Sequence, residues 1–193
     1  MILRNYDSIM QILTCGGATP SGPYDTEWLA GRPGIVRNHD GSYYFCTKTG
    51  NAYFGLFGCN SNSNDNYVSP HIYPVLLVGS GNNDVTYDDY TMNYLQDLSV
   101  AGYRGNIVTY STESCTCVMT KTFINNTAED ITVNEIGIFT SIIGAKPTGS
   151  STYSVSPLIC REKLAEPVTL SANGGKATFS LTVNIPLMNK PSA

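Results

Sequence analysis

Between residues 113 and 185 one pattern recurs four times: apolar and polar residues alternate for a stretch, and a cluster of turn-forming residues closes it. Alternation is the period of a pleated strand, whose successive side chains point to opposite faces, so such a chain buries one face of a sheet and wets the other. The clearest copy is Ala177-Thr178-Phe179-Ser180-Leu181-Thr182-Val183-Asn184-Ile185, apolar at every odd position and polar at every even one. The run before it, Val168-Thr169-Leu170, is predicted to pair with it as a hairpin through Ser171-Ala172-Asn173-Gly174-Gly175, because Asn and Gly tolerate the positive φ of a tight turn. The predicted class is mainly β, an antiparallel β-sandwich of jelly-roll-like or Ig-like type, with a short N-terminal helix and an arm.

At 193 residues the chain suffices for one sandwich with a small appendage and is short for two independent cores. Charged residues make up 13% and the formal net charge is -4, which provides neither the basic footprint of a nucleic-acid binder nor the charge density of a disordered tail. Solubility then rests on Ser, Thr, Asn and Tyr. A surface poor in long charged side chains has less side-chain entropy to lose in permanent contacts, a mark of assembly.

No basic start, apolar stretch and small-residue cleavage site mark the chain for export. The six cysteines are therefore expected as free thiols in a reducing cytoplasm. Cys115 and Cys117 lie two apart on a predicted strand and face one side, as core filling does. Cys15, Cys46, Cys59 and Cys160 lack paired spacing, and only His39 and His71 are on hand to complete a zinc site, so neither metal nor cofactor is expected. No stretch reaches the roughly 20 apolar residues of a membrane span.

Two regions are expected, a helix and arm over residues 1–34 and the sandwich over 35–193. In residues 2–13 apolar positions recur at three and four, placing Ile2, Tyr6, Ile9, Met10 and Leu13 on one stripe of a helix that Cys15-Gly16-Gly17 ends. So short a helix must dock, on its own subunit or on a neighbour. The Gly- and Pro-rich stretch that follows holds the only tryptophan, Trp28, an anchor onto the same domain or onto a partner. Short strands are predicted at Ile35-Val36-Arg37, at Tyr43-Tyr44-Phe45-Cys46-Thr47 after the turn pair Asp40-Gly41, and over residues 52–58. A polar loop over 60–66 precedes the apolar strand Tyr73-Pro74-Val75-Leu76-Leu77-Val78.

Several motifs invite a chemical reading. Gly79-Ser80-Gly81 follows an apolar strand as a nucleotide-binding turn does, but its third glycine and its helix are missing. Asp84, Asp88 and Asp89 lack the ladder and closing glutamate of a calcium loop. No Gly-x-Ser-x-Gly elbow, His-Glu-x-x-His pair or Cys-His couple is present, so no catalytic residue is assigned. A cross-cleft carboxylate pair, which spacing does not reveal, keeps a polysaccharide hydrolase as a remote alternative. Asn125-Asn126-Thr127 fits a glycosylation triplet and is read as the turn after a strand. In residues 131–139 the apolar parity switches between Val133 and Ile136, as at a β-bulge, with Glu135 at the switch. Arg161, after the apolar Leu158-Ile159-Cys160, is the expected partner in a partly buried ion pair that sets strand register.

Taken as a set, Val78-Gly79-Ser80-Gly81, Tyr87-Asp88-Asp89-Tyr90, Thr122-Phe123-Ile124-Asn125-Asn126, Val133-Asn134-Glu135-Ile136-Gly137-Ile138-Phe139, Leu158-Ile159-Cys160-Arg161 and Pro167-Val168-Thr169-Leu170 with the final strand resemble a module of tailed-bacteriophage virion proteins. Leu3-Arg4-Asn5-Tyr6-Asp7 is similar to the start of some phage structural proteins. The resemblance covers residues 75–185, and Cys115-Thr116-Cys117 and the tyrosine-rich front part depart from it. It implies a β-sandwich assembling in many copies as a head-decoration, head-fibre, neck or tail part. Such a part is made in the host cytoplasm, resides in the virion and partners with itself and other virion proteins. A carbohydrate- or receptor-binding module, with a host glycan as partner, is the alternative that the tyrosines and the Asn-Ser loop suggest.

Overall fold

The computed structural model describes residues 1–7, 35–46, 75–110, 114–140, 142–146 and 152–186. They are mainly β, in three antiparallel sheets. The first sheet comprises β1 (Ile35–Arg37), β2 (Tyr43–Cys46), β7 (Ile142–Ala145) and β8 (Thr152–Val155), in the order β1-β2-β7-β8. The second has β5 (Ser114–Asn125) between β10 (Gly175–Pro186) and β4 (Ser99–Tyr110), and the third has β6 (Ile131–Phe139) between β3 (Val75–Gly79) and β9 (Leu158–Leu170). The predicted strands over 52–58 and the loop over 60–66 lie outside the described residues.

The alternation survives in β10 over residues 178–184. Phe179, Leu181 and Val183 are buried and Thr178, Ser180, Thr182 and Asn184 are exposed. On the exposed face short side chains join the two strands, with Thr116–Asn184, Thr120–Ser180 and Thr122–Thr178 hydrogen bonds of 2.7, 2.8 and 2.7 Å. Inward, β5 contributes Cys117, Met119 and Phe123, which join Leu76, Val78, Ile136, Ile138 and Ile159 of the third sheet and Val36 and Tyr44 of the first in one core cluster. Lys121 shares that inward register, 1% exposed, with its ammonium 5.4 Å from the Phe123 ring centre. A second cluster, Leu3, Val75, Leu77, Met92, Phe139 and Leu158, covers the opposite face of the third sheet. Burial on both faces explains why the β3 run is continuously apolar rather than alternating.

Two expectations are corrected. Val168-Thr169-Leu170 is not the hairpin partner of β10: it pairs with β6, through Ile131↔Leu170, Thr132↔Thr169 and Val133↔Val168, while β10 pairs with β5 along its whole length. The turn itself has the expected positive φ, 57° at Asn173 and 112° at Gly174, but its amides bond to Thr127 and Asn125 at the end of β5, which hands the chain from one sheet to another. The N-terminal stripe also fails at its first residue. Ile2 bridges Cys160 as extended chain, and the Leu3 amide donates to Ile159 at 3.0 Å, so helical backbone begins only at residue 4. An unpaired edge of β9 captures this segment, because a sheet edge offers backbone partners that an isolated helical turn lacks.

Candidate functional site

A β-bulge in the β6–β9 ladder accompanies a buried pair of charged residues, Glu135 and Arg161. Val133 pairs with Val168 but Glu135 pairs with Lys163, so residues 164–167 of β9 stand opposite the single Asn134. Pro167, which has no N–H to give a ladder, sits in that excess. The parity switch carries Glu135 to the face opposite Ile136 and Ile138, where it is 0% exposed. Arg161 faces Gly137 in the ladder and so reaches Glu135 diagonally on the same face.

Glu135 and Arg161 meet there. Arg161 Nε donates to Glu135 Oε2 at 2.6 Å, and Nη2 lies 2.6 Å from the same oxygen. The other oxygen, Oε1, accepts the Gly81 amide at 3.0 Å and the Asn93 amide at 2.9 Å. Gly79 and Gly81, the glycines of the apparent nucleotide turn, have another role. A Cβ on Gly79 would stand 2.6 Å from Glu135 Oε1 and 2.7 Å from the Asn93 carbonyl, and one on Gly81 would collide with the same carboxylate. The glycines make room for a carboxylate of the chain itself.

Asp89, one of the three acids that lack a calcium loop's ladder, is the third member. Arg161 Nη1 donates to Asp89 Oδ2 at 2.5 Å and Nη2 to the Asn83 carbonyl at 3.3 Å. Burial pushes the Asp89 carboxyl up, but hydrogen bonds from Thr86 and Arg161 outweigh it and hold its pKa below the ordinary value. The Arg161 guanidinium, pushed down by burial, is held above its usual value by the two carboxylates. The other acids of the supposed calcium segment are separately engaged, Asp84 with Lys163 at 3.2 Å and Asp88 with Arg4. Nothing in spacing marks Asp89 above Asp88, since a loop path decides which of the two turns inward.

The N-terminal residues close this region. The Met1 ammonium donates to the Arg161 carbonyl at 2.8 Å, Leu3 is 0% exposed, Asn5 bridges the carbonyls of Arg37 and Leu158, and Tyr6 joins the main core. Ile2 and Tyr6, expected on an assembly arm, thus pack against their own body. Ile9, Met10, Leu13 and Trp28 lie outside the described residues, as do Cys15 and Cys59. Cys117 and Cys160 are buried thiols, and burial pushes the Cys160 thiol up against the opposing Met1 ammonium. Asn125 of the glycosylation triplet is 0% exposed and donates to the carbonyls of Glu129 and Leu170, so its amide is part of the β5 end.

Next to the ion cluster, and sharing Asp89 with it, a half-open pocket of about 230 Å³ is lined by Arg4, Asn5, Ile35, Arg37, Tyr43, Asp88 and Tyr90. The Arg37 guanidinium carbon lies 3.5 Å from the Tyr90 ring centre and 5.4 Å from that of Tyr43. Comparison of the chain with protein-family models, with curated proteins and with solved structures finds no match in any of the three.

Proposed function

We propose that this chain is a non-enzymatic structural component of a tailed-bacteriophage virion, an antiparallel β-sandwich present in many copies as a head-decoration, fibre, neck or tail part. The observation that carries the reading is convergence. The resembling segments at residues 78–81, 87–90, 133–139 and 158–161, far apart in sequence, contribute Gly79, Gly81, Asp89, Glu135 and Arg161 to one buried cluster. Both oxygens of Glu135 are engaged by the chain's own donors, which suits a lock on strand register better than an acid–base pair. A body locked in this way loses little freedom when copies of it pack around a closed symmetry. Its partners would be itself and other virion proteins, in a particle assembled from proteins made in the host cytoplasm.

Quantitative mass spectrometry of gradient-purified particles tests the reading. The chain is expected at a fixed multiple of the other virion proteins, and its absence from the particles would overturn the proposal. A carbohydrate- or receptor-binding module is the second reading, supported by the arginine- and tyrosine-lined pocket.

A further inference from the structure

The pocket holds an arginine whose charge has no counterpart among the described residues. Arg37 ends β1, and Asn5 clamps its backbone twice, accepting from the Arg37 amide at 2.8 Å and donating to its carbonyl at 2.9 Å. The guanidinium lies against Tyr90 while Nε donates to the Gly41 carbonyl at 3.2 Å, so the plane of the fork is set in advance. Its terminal nitrogens meet no acceptor among the described residues. The other charges of the wall are already matched, Arg4 with Asp88 and Asp89 with Arg161.

We propose that this pocket binds an acidic sugar residue, whose carboxylate is held by the terminal nitrogens of Arg37. The inference rests on the glycan-binding reading above, deepens it, and is independent of the virion reading. A planar, pre-oriented guanidinium matches a carboxylate bidentately and has little rotamer freedom to lose. The volume, about 230 Å³, falls below the roughly 300–1,000 Å³ of sites for drug-sized ligands and fits a single ring. The lining also includes Ile35, Tyr43, Tyr90 and Asp88, a mixture of apolar, aromatic and oxygen-bearing side chains that suits the hydroxyls and C–H face of a pyranose. A phosphate also fits an arginine fork, so inorganic phosphate is the competing ligand in the test.

Calorimetric titration of the full chain with glucuronic acid, its methyl ester, glucose and inorganic phosphate tests this. Saturable binding of glucuronic acid is expected, weakened roughly tenfold or more by esterification or by Arg37→Gln, the loss of a charged hydrogen-bonded pair. The Arg37→Gln protein is expected to keep its circular dichroism spectrum and melting temperature. Equal affinity for acid and ester, wild-type binding by a folded Arg37→Gln, or tighter binding of phosphate overturns the proposal. Should Arg37→Gln not fold, the comparison of acid with ester on the unaltered chain decides alone. Glucose binding as well as glucuronic acid would remove the acidic assignment and leave a glycan site standing; no heat from any saccharide would remove both.

Discussion

Glu135 is accommodated in a fully buried position because both its carboxyl oxygens meet donors, two backbone amides on one side and a guanidinium on the other. Glu135→Gln replaces an accepting oxygen opposite Arg161 by a donating amide or forces the side chain to turn. It is expected to cost about 3 kcal/mol, as breaking a buried pair does, measured by urea denaturation. An unchanged midpoint would show that the pair does not set the register. Asp89 makes a prediction of opposite origin. Its carboxyl lies below its ordinary value, so its contribution to stability is present above the unfolded carboxylate pKa and is lost as pH falls through the folded one. Asp89→Asn should therefore flatten the acid limb of stability against pH, read from denaturation midpoints between neutral and acid pH. At this scale Glu135 and Arg161 were legible, because a charged residue at a parity switch needs a partner and the next strand offers one. Asp89 was not, because the route of residues 80–94 over the sheet decides it.

Among the elements, the third sheet depends on what covers its edges. Residues 93–95 lie along β3, through Leu95 to Val78 at 2.9 Å and Ser80 to Asn93 at 2.9 Å, and residues 1–3 lie along β9. Capped edges are closed to pairing with foreign strands. Leu3 also fills the second core cluster with Phe139 and Leu158, so Leu3→Ala is expected to destabilise by about 3 kcal/mol, through lost burial and the cavity left behind, in the same denaturation assay. A surface position would change it by a few tenths. Alternation announced β10 and half of β5 plainly, and the apolar run announced β3. The partner of β9 was hidden, since the turn at Asn173 and Gly174 has hairpin chemistry whether its strands join one ladder or pass between two sheets.

Across the whole molecule, the N-terminal residues belong to the folded body. Removal of residues 1–14 takes away Leu3, Asn5 and Tyr6 together with the cover of β9. The expected outcome is loss of cooperative thermal unfolding by circular dichroism and a broadened mass distribution by light scattering, in place of the folded but unassembled body that a peripheral arm would leave. What the sequence determined by itself was class and face: the period of two sets which side chains of β10 are inside, and the mismatch in parity sets where β6 breaks its ladder. Tertiary structure alone decided which strands share a sheet, which aspartate completes the ion cluster, and that Arg37 lies between two tyrosines. Alternation is a local property that each strand carries along its own length, whereas pairing, burial of a charge and the shape of a pocket depend on residues distant in sequence, whose encounter only the folded chain sets.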